Sequence, residues 1–225
     1  MTPAATVGWR GSVAAISLAT WTGVRLLSGH MSSSTSTLTV RQAETVDRLV
    51  DAAVDEVRSV GFGGLTVRNV AARAGVAPAT AYTYFGSKEH LVGEVFYRRL
   101  MTLPDVAVDR RLSSANRVAA ALREVALLVA DEPELSAACT IALLGDDPEV
   151  RSLRDRIGGT IHRRLLAALG DPARDGKRDG NRAALDAIEL AFSGAMLQTG
   201  TGHLSYDELG DRLAAAAELI LGGRR

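Results

Sequence analysis

The stretch TVRNVAARAGVAPATAYTYFGSKEHLV, residues 66–92, decides how this chain folds. Thr66 stands where a helix N-cap is expected, and the residues after it predict one short helix. Gly75 supplies the permissive backbone of a tight turn. Pro78 predicts the start of a second short helix, ending at Phe85, because its fixed φ suits a first helical position and its missing N–H is not needed there.

Two short helices joined by a glycine turn form a helix-turn-helix candidate. Ala71 is small where the two helices must cross, and Val76 and Phe85 can fill the apolar junction. The second helix is then held rigidly enough to enter a major groove about 12 Å wide. Aromatic residues at helical spacing are more often core than binding surface, so we expect Phe85 in the core and Tyr82 partly so.

Apolar residues recur at three- and four-residue steps almost everywhere from Thr39 onward. A long helix over about 40–60 precedes the decisive stretch, and the run GFGG at 61–64 ends it. That run is a helix terminator rather than a phosphate loop, because no strand precedes it and no Gly-Lys-Ser/Thr follows. Ser87 can cap a further helix, which Pro104 closes.

Three more helices are predicted in the middle of the chain. Ser113 or Ser114 opens the first, which ends before Pro133, and a short one covers 134–143. The tripeptide Asp-Pro-Glu at 147–149 combines a cap, a proline at the first position and an acid in the first turn, which indicates a strong helix start.

Residues 170–181 hold no large apolar side chain and are predicted to form a flexible loop. Two apolar, alanine-rich helices follow over about 182–199 and 206–221, the second opened by a Ser205–Glu208 capping box. They are typical of helices that pack against a two-fold partner, although burial inside one copy explains each residue as well. The interface candidates are Leu185, Ile188, Phe192, Leu209, Leu213 and Ile220. No strand pattern competes, so the chain is predicted to be all-α.

Residues 66–92 resemble the DNA-binding signature of the TetR (tetracycline-repressor) family of transcriptional regulators. The resemblance is specific over about 41–100 and extends only to helix number and length over 104–225. It implies an all-helical homodimer, with an N-terminal three-helix DNA-binding domain that contains the helix-turn-helix and a C-terminal helical domain for ligand binding and dimerisation. The domains expected are a flexible or non-native extension over 1–38, a DNA-binding domain over 39–88 and a regulatory and dimerisation domain over 89–225.

The resemblance also carries functional roles to single residues. Pro78, Ala79 and Thr83 stand where family members touch base edges, and Thr80 belongs to the same expected DNA-binding set. Tyr82, Tyr84 and Lys88 stand where members grip phosphates, and Arg68 stands where a side chain reaches a base or a phosphate. Arg41 and Arg73 are weaker phosphate candidates. These roles are chemically reasonable, because a tyrosine hydroxyl can donate to phosphate and a lysine at a helix N-terminus adds to an anion site.

The chain also departs from the family pattern. Ala77 stands where a capping serine is common, and such a cap contributes about 1 kcal/mol. Ala81 replaces a larger aliphatic residue. The second helix carries no charged side chain, so guanine reading would come largely from Arg68, and DNA shape and methyl contacts should matter.

Composition excludes several classes of protein. The chain has 225 residues, 47% hydrophobic and 23% charged, which is typical of a globular protein. No run approaches the roughly 18 apolar residues of a membrane span. Lysine and arginine number 26 against 26 acids, so DNA binding would need a local patch. The single cysteine, Cys139, excludes a disulfide framework and fits a reducing, cytoplasmic location.

Residues 1–38 differ from the rest, with both tryptophans and a Ser/Thr tract at 32–37. A secretion signal is disfavoured, because the apolar stretch is interrupted and lacks a cleavage site. We expect an unstructured extension, and Met31 is an alternative start.

A ligand pocket is expected among the helices of 114–200, where an aliphatic cavity suits a small apolar effector. Polar residues on apolar faces there are Cys139, Thr140, His162, Gln198 and Thr199, and for each an ordinary structural role is the competing interpretation. The four histidines lack metal-ligand spacing, so no metal and no cofactor is expected.

The sequence therefore predicts a ligand-responsive repressor that binds a palindromic operator on double-stranded DNA as a homodimer. The alternative is a helical small-molecule-binding protein of the same fold without DNA binding. An enzyme is disfavoured, because no convergent nucleophile–base or paired-acid motif is found.

Overall fold

The computed structural model describes residues 35–170 and 178–222, with side chains from 40 to 170 and from 182 to 222. Every regular element in those ranges is helical, which confirms the predicted all-α fold. A short 3-10 turn, Leu127–Val129, follows the fifth α-helix. The α-helices are α1 (Thr35–Gly64), α2 (Val67–Arg73), α3 (Pro78–Tyr84), α4 (Lys88–Thr102), α5 (Ser114–Ala126), α6 (Pro133–Leu143), α7 (Pro148–Leu169), α8 (Arg178–Gly200) and α9 (Tyr206–Gly222).

Most of these helices begin at the caps that the sequence predicts. The side chains of Thr66, Ser113 and Asp147 each accept a hydrogen bond from the N–H three residues further on, at 3.1, 3.1 and 2.8 Å. Glu208 N donates to Ser205 Oγ at 3.2 Å, and Ser205 N donates to Glu208 Oε2 at 3.3 Å, which forms the capping box of α9. These bonds satisfy N–H groups that the first helical turn leaves without partners.

The first helix is longer than its apolar pattern predicts. It begins at Thr35 rather than near residue 40 and extends to Gly64. Gly61 interrupts it with φ 67° and ψ 174°, a conformation that only glycine adopts at little cost. The regular helix therefore ends where the glycine run predicts. Of the expected extension over 1–38, residues 1–34 lie outside the described residues and the last four belong to α1.

The predicted loop over 170–181 is wrong at its C-terminal end. Helix α8 already begins at Arg178, while residues 171–177 lie outside the described ranges. The loop is predicted from the absence of large apolar side chains, but the first turn of a helix needs none when the rest of that helix packs against the bundle. A polar first turn is therefore compatible with this start.

Helix α4 is central to the core. Leu91, Val92, Val95, Phe96 and Leu100 are all buried along it, and it packs against α6 and α7. Helix α5 packs against α7 and α9, and α8 packs against α9 and α6. Burial of these apolar faces is the main stabilising contribution to such a bundle.

The interface candidates in α8 and α9 belong mainly to the core of a single copy. Leu185, Ile188, Phe192, Leu209 and Leu213 are each buried within the chain, and Ile220 is half-buried. The apolar pattern identified the helix face that turns inward, because that face carries the larger side chains. A different face of α8 and α9 stays exposed.

Candidate DNA-binding surface

The helix-turn-helix is braced by its own small core. Gly75 makes the turn with φ 64°, and Val76 N donates to Ala71 O at 2.9 Å, which closes the turn behind it. Ala71 and Ala81 are completely buried where α2 and α3 meet, and Phe85 is buried at the end of α3. The two helices are thereby held at a fixed angle to each other.

Helix α3 presents one uncharged face to solvent. The exposed residues on this helix are Pro78, Ala79, Thr80, Tyr82 and Thr83. Tyr84 is half-buried and packs against the core, whereas the Tyr82 side chain is 52% exposed. Ala77 provides no side-chain cap for the helix, as its identity predicts. The unusual Ala81 is fully buried, so it alters the packing beneath the helix and leaves the exposed face unchanged.

Thr83 uses its hydroxyl within the helix. Its Oγ1 donates to the Ala79 carbonyl at 3.0 Å, while the residue itself stays exposed. The hydroxyl proton is therefore engaged, and the side chain offers outside groups a methyl group and an acceptor oxygen.

Lys88 is more engaged within the chain than its expected role implies. Its Nζ donates to the Phe62 carbonyl at 2.9 Å and lies 4.4 Å from the centre of the Phe62 ring. The residue is half-buried and connects the start of α4 to the end of α1. One N–H of the ammonium is thus used, and a phosphate contact through the others stays a prediction.

The arginines that the sequence analysis expects at DNA lie on α1 and α2. Arg68 and Arg41 are exposed, as their expected roles require. Arg73 pairs with the buried Glu56 at 2.8 Å, which restrains its guanidinium. The exposed face of α3 is therefore uncharged, and the arginines expected at DNA lie on the two preceding helices, α1 and α2.

Two further exposed polar residues lie on α1 and α2, and the sequence analysis does not name them as candidates. Asn69 follows Arg68 on α2, and its position in the first turn of a helix-turn-helix was a usable signal. Arg48 lies on α1 and donates from Nη1 to the Ala74 carbonyl at 3.4 Å. No local pattern points to Arg48, because only the fold brings it to the end of α2.

The expected ligand residues do not share one set of partners. Cys139 is buried, with its Sγ 3.8 Å from the Val92 carbonyl oxygen. Thr140 donates to the Ser136 carbonyl at 3.0 Å. Thr199 is also buried and donates to the Ala195 carbonyl at 2.9 Å. On a different pair of helices, His162 Nδ1 of α7 lies 2.6 Å from Glu189 Oε1 of α8. Gln198 is exposed. Their roles in ligand binding stay predictions.

Glu132, at the start of α6, forms ion pairs with arginines of α1 and α4. Arg58 Nη2 and Arg99 Nη2 each lie 2.6 Å from a Glu132 carboxylate oxygen, and Arg99 also donates to the Leu128 carbonyl. Burial acts to raise the pKa of Glu132, but hydrogen bonds and charge from Arg99 and Arg58 outweigh it and lower the pKa below its usual value. The carboxylate is therefore held in its charged form.

A second polar cluster joins α1, α4 and α7. The buried Glu94 lies 3.4 Å from Arg98 Nε and 3.7 Å from Arg156 Nη1. Arg98 also pairs with Asp47 on α1. The Arg156 guanidinium lies 4.1 Å from the centre of the Tyr97 ring. The helices that position the helix-turn-helix are thus tied to the rest of the bundle by charged groups as well as by apolar packing.

Two other kinds of site were sought in the described part of the chain. No helix in residues 35–170 or 178–222 is both long and apolar enough to cross a membrane. Over the same ranges, no group of three or more His, Cys, Asp or Glu side chains is arranged to hold a metal ion.

Comparison with known proteins identifies the family. The model of bacterial regulatory proteins of the tetR family matches residues 49–95. An uncharacterized HTH-type transcriptional regulator of Mycobacterium tuberculosis is 48% identical over 185 residues, which cover 81% of this chain and 83% of that protein. The HTH-type transcriptional repressor KstR of Rhodococcus jostii is 26% identical, over 80% of this chain and 84% of its own length.

Solved structures agree with the fold. A TetR transcriptional regulator from Rhodococcus sp. RHA1 superposes with a TM-score of 0.64 at 22% identity, over 79% of this chain and 97% of that one. FadR of Bacillus subtilis, solved in complex with stearoyl-CoA, gives 0.57 at 21% identity, over 79% and 98% of the two chains. With a braced helix-turn-helix and close relatives of this kind, the chain belongs to the tetR family and is a helix-turn-helix transcriptional regulator.

Proposed function

We propose that this regulator binds a palindromic operator as a homodimer and represses transcription until a small molecule releases it. The observation that carries the proposal is the exposed face of α3, backed by the buried Ala81 and Phe85. A short, braced helix with one free face is the element that a major groove accepts.

The residues around α3 support a grip on the DNA backbone. Arg41, Arg48 and Arg68 are exposed basic residues on α1 and α2, and the Tyr82 hydroxyl can donate to a phosphate oxygen. Lys88 retains N–H groups beyond the one bound to Phe62. Such contacts give affinity and register, and they leave sequence discrimination to α3 and Arg68.

Binding to DNA is tested by fluorescence anisotropy on a duplex selected from a random-sequence pool, between 50 and 200 mM salt. Affinity should fall steeply with salt, because each neutralised phosphate releases counterions and adds about 0.9 to the logarithmic slope. Arg68→Ala should weaken binding and change the selected sequence, whereas the exposed Arg151→Ala on α7 should do neither. Salt-independent binding, or equal effects of the two variants, would contradict the proposal.

Dimerisation is supported by an exposed apolar stripe on α8 and an exposed leucine on α9. The exposed positions 183, 187, 190, 194 and 197 recur at three- and four-residue steps along α8 and hold only Ala, Leu and Gly. Leu190 is 75% exposed and Leu219 of α9 is 79% exposed. Exposed apolar patches of this kind mark interaction surfaces. A two-fold dimer would cover them and carry two α3 helices to half-sites about 34 Å apart.

The domain division that we propose is residues 39–88 for DNA binding and 89–225 for regulation and dimerisation. Helix α4, which begins at Lys88, would couple the two parts, because charged groups tie it to α1 through Arg98 and to α7 through Glu94. A ligand that moves α7 would therefore act on α1 and α4. Release from DNA needs only a ligand that binds one arrangement of these helices more tightly than the other, with a coupling free energy of about 1–3 kcal/mol.

The effector class that we propose is a small apolar molecule bound among α5 to α8. The structure of FadR with stearoyl-CoA demonstrates that a protein of similar fold holds a long-chain acyl thioester. Stearoyl-CoA, whose acyl chain is the apolar part, is accordingly the first probe, added to the preformed protein–DNA complex, with free coenzyme A as the control for its charged part. Release by the thioester alone supports the proposal, whereas no release excludes this effector. A chain that binds the thioester but no duplex would instead be a small-molecule-binding protein of the same fold.

A further inference from the structure

We propose that α3 reads thymine methyl groups in the major groove, so that each operator half-site carries A·T pairs beneath Ala79 and Thr83. This inference rests on the proposed binding to operator DNA. It concerns which chemical feature of the bases the helix recognises.

The exposed face of α3 lacks the groups that read guanine. Guanine presents two acceptors in the major groove, which are read by the paired N–H donors of Arg or by Lys. Between Pro78 and Tyr84 there is no charged residue and no side-chain amide. Lys88, just beyond the helix, has its ammonium directed to the Phe62 carbonyl at 2.9 Å.

The hydroxyls on this face do not replace those donors. Thr83 Oγ1 donates its proton to the Ala79 carbonyl at 3.0 Å. Thr80 and Tyr82 keep single hydroxyls, but a hydroxyl can donate or accept and so fits more than one base. The remaining features of the face are mainly aliphatic: the Pro78 ring and the methyl groups of Ala79, Thr80 and Thr83, beside the Tyr82 ring.

The rotation of α3 about its own axis is also fixed. Ala81 is completely buried and Phe85 is 3% exposed, so turning another face outward would expose both. The aliphatic face is therefore the one that a major groove meets. Thymine is the base that carries a methyl group there, at C5, and alanine and threonine methyls are the contacts that suit it.

The test uses the full chain and two random-sequence duplex pools, one made with thymine and one with deoxyuridine in its place. Deoxyuridine keeps every hydrogen-bonding group of thymine and lacks only the methyl. The thymine pool should yield a palindrome with A·T pairs in each half-site. Single thymine-to-deoxyuridine changes there should weaken binding about fourfold each, the value expected for one buried methyl group, and changes in the flanks should have no effect.

Two variants separate a direct contact from an effect on DNA shape. Thr83→Ser keeps the hydroxyl and removes the methyl, so one position of the half-site should lose its preference for thymine over deoxyuridine. Thr83→Val keeps a methyl and removes the hydroxyl, so that preference should persist. Thermal melting checks that both variants fold.

The outcomes distinguish this inference from the proposed function. Equal binding of thymine and deoxyuridine duplexes, or G·C pairs beneath α3, would overturn methyl reading while operator binding stands. A preference for thymine that Thr83→Ser leaves unchanged at every position would overturn the contact at Thr83. If neither pool enriches any sequence, operator binding itself is wrong.

Discussion

At the scale of single residues, Cys139 illustrates how burial controls reactivity. Its side chain is buried between α6 and α4, and burial raises the pKa of the thiol to about 12. The thiolate is the reactive form, so a protonated and inaccessible thiol should be inert. We expect Ellman's reagent at pH 8 to label no cysteine in the native protein and one per chain in guanidinium. Rapid labelling of the native protein would mean that α6 opens readily.

Gly200 allows α8 to approach α6 closely. A Cβ added there would lie 2.6 Å from the Thr140 Cβ and 2.9 Å from its Cγ2, so rotating the threonine would not relieve the clash. Gly200→Ala should lower the free energy of unfolding by about 1–3 kcal/mol. The control is Gly158→Ala in α7, where nothing lies within 4 Å, and which should be stabilising by up to about 1 kcal/mol. Urea denaturation measures both, and equal effects would argue against the close approach.

At the scale of elements, the N-caps of α4 and α7 are linked. Ser87 Oγ accepts from His90 N at 3.0 Å and donates to Asp147 Oδ2 at 3.0 Å. Asp147 Oδ1 accepts from Val150 N at 2.8 Å. One side-chain pair therefore caps both helices and fixes their starts relative to each other.

Asp147→Ala should destabilise the protein by about 1–3 kcal/mol, because it removes one cap and leaves Ser87 without its acceptor. The neighbouring Asp146→Ala is the control, since its side chain is 91% exposed. Burial acts to raise the pKa of Asp147, but the bonds from Val150 and Ser87 outweigh it and lower the pKa below its usual 3.8. The contribution is thus present above that value and lost as pH falls through the lowered pKa. Urea melts at pH 7 and pH 3 should find the cost of Asp147→Ala smaller at pH 3.

The elements were largely predictable because their signals are local. The caps at Thr66, Ser87 and Asp147 and the turn at Gly75 each depend on a few neighbouring residues, and all are confirmed. The polar first turn of α8 was missed, because its residues carry no apolar periodicity.

The candidate site was predictable only in part. The exposed residues of α3 follow from the helical period once Ala81 and Phe85 face the core. The contacts of Lys88 with Phe62 and of Arg48 with Ala74 each join residues 26 positions apart. Such contacts depend on how helices pack, and no spacing in the sequence encodes them.

At the scale of the whole molecule, Glu132 connects the helices around the DNA-binding surface to the bundle. Glu132→Gln keeps the size of the side chain and removes its charge, so Arg58 and Arg99 lose their common counter-charge. We expect a loss of about 1–2 kcal/mol in the free energy of unfolding, because hydrogen bonds to charged groups are the stronger ones.

The pH dependence of the free energy of unfolding tests this contribution of Glu132. The pKa of Glu132 is lowered in the folded protein, so its contribution is complete above the usual value near 4.5 and declines as pH falls through the lowered pKa. The wild type and Glu132→Gln should differ at pH 7 and converge toward pH 3, as measured by urea melts. Glu134→Gln, at an exposed neighbouring position, is the control. A difference that is independent of pH would mean that the charge of Glu132 does not stabilise the fold.

The proposed dimer gives the last prediction. Leu190 and Leu219 are among the most exposed large apolar side chains in the described residues, at 75% and 79%. A two-fold interface brings the same patch of both copies together, so one substitution introduces two charges into it. Leu190→Asp should therefore give a monomer in sedimentation experiments, with weakened binding to a full palindrome.

The control for that experiment is Leu144→Asp, at the C-terminal end of α6, where the leucine is 66% exposed. It adds the same charge at a similarly exposed leucine outside the stripe and should leave the dimer intact. Both variants should melt as the wild-type fold does at low protein concentration, since neither leucine belongs to the core. A Leu190→Asp protein that remains dimeric would place the two-fold interface elsewhere. The spacing of the two α3 helices would then have to be set by a different pair of surfaces.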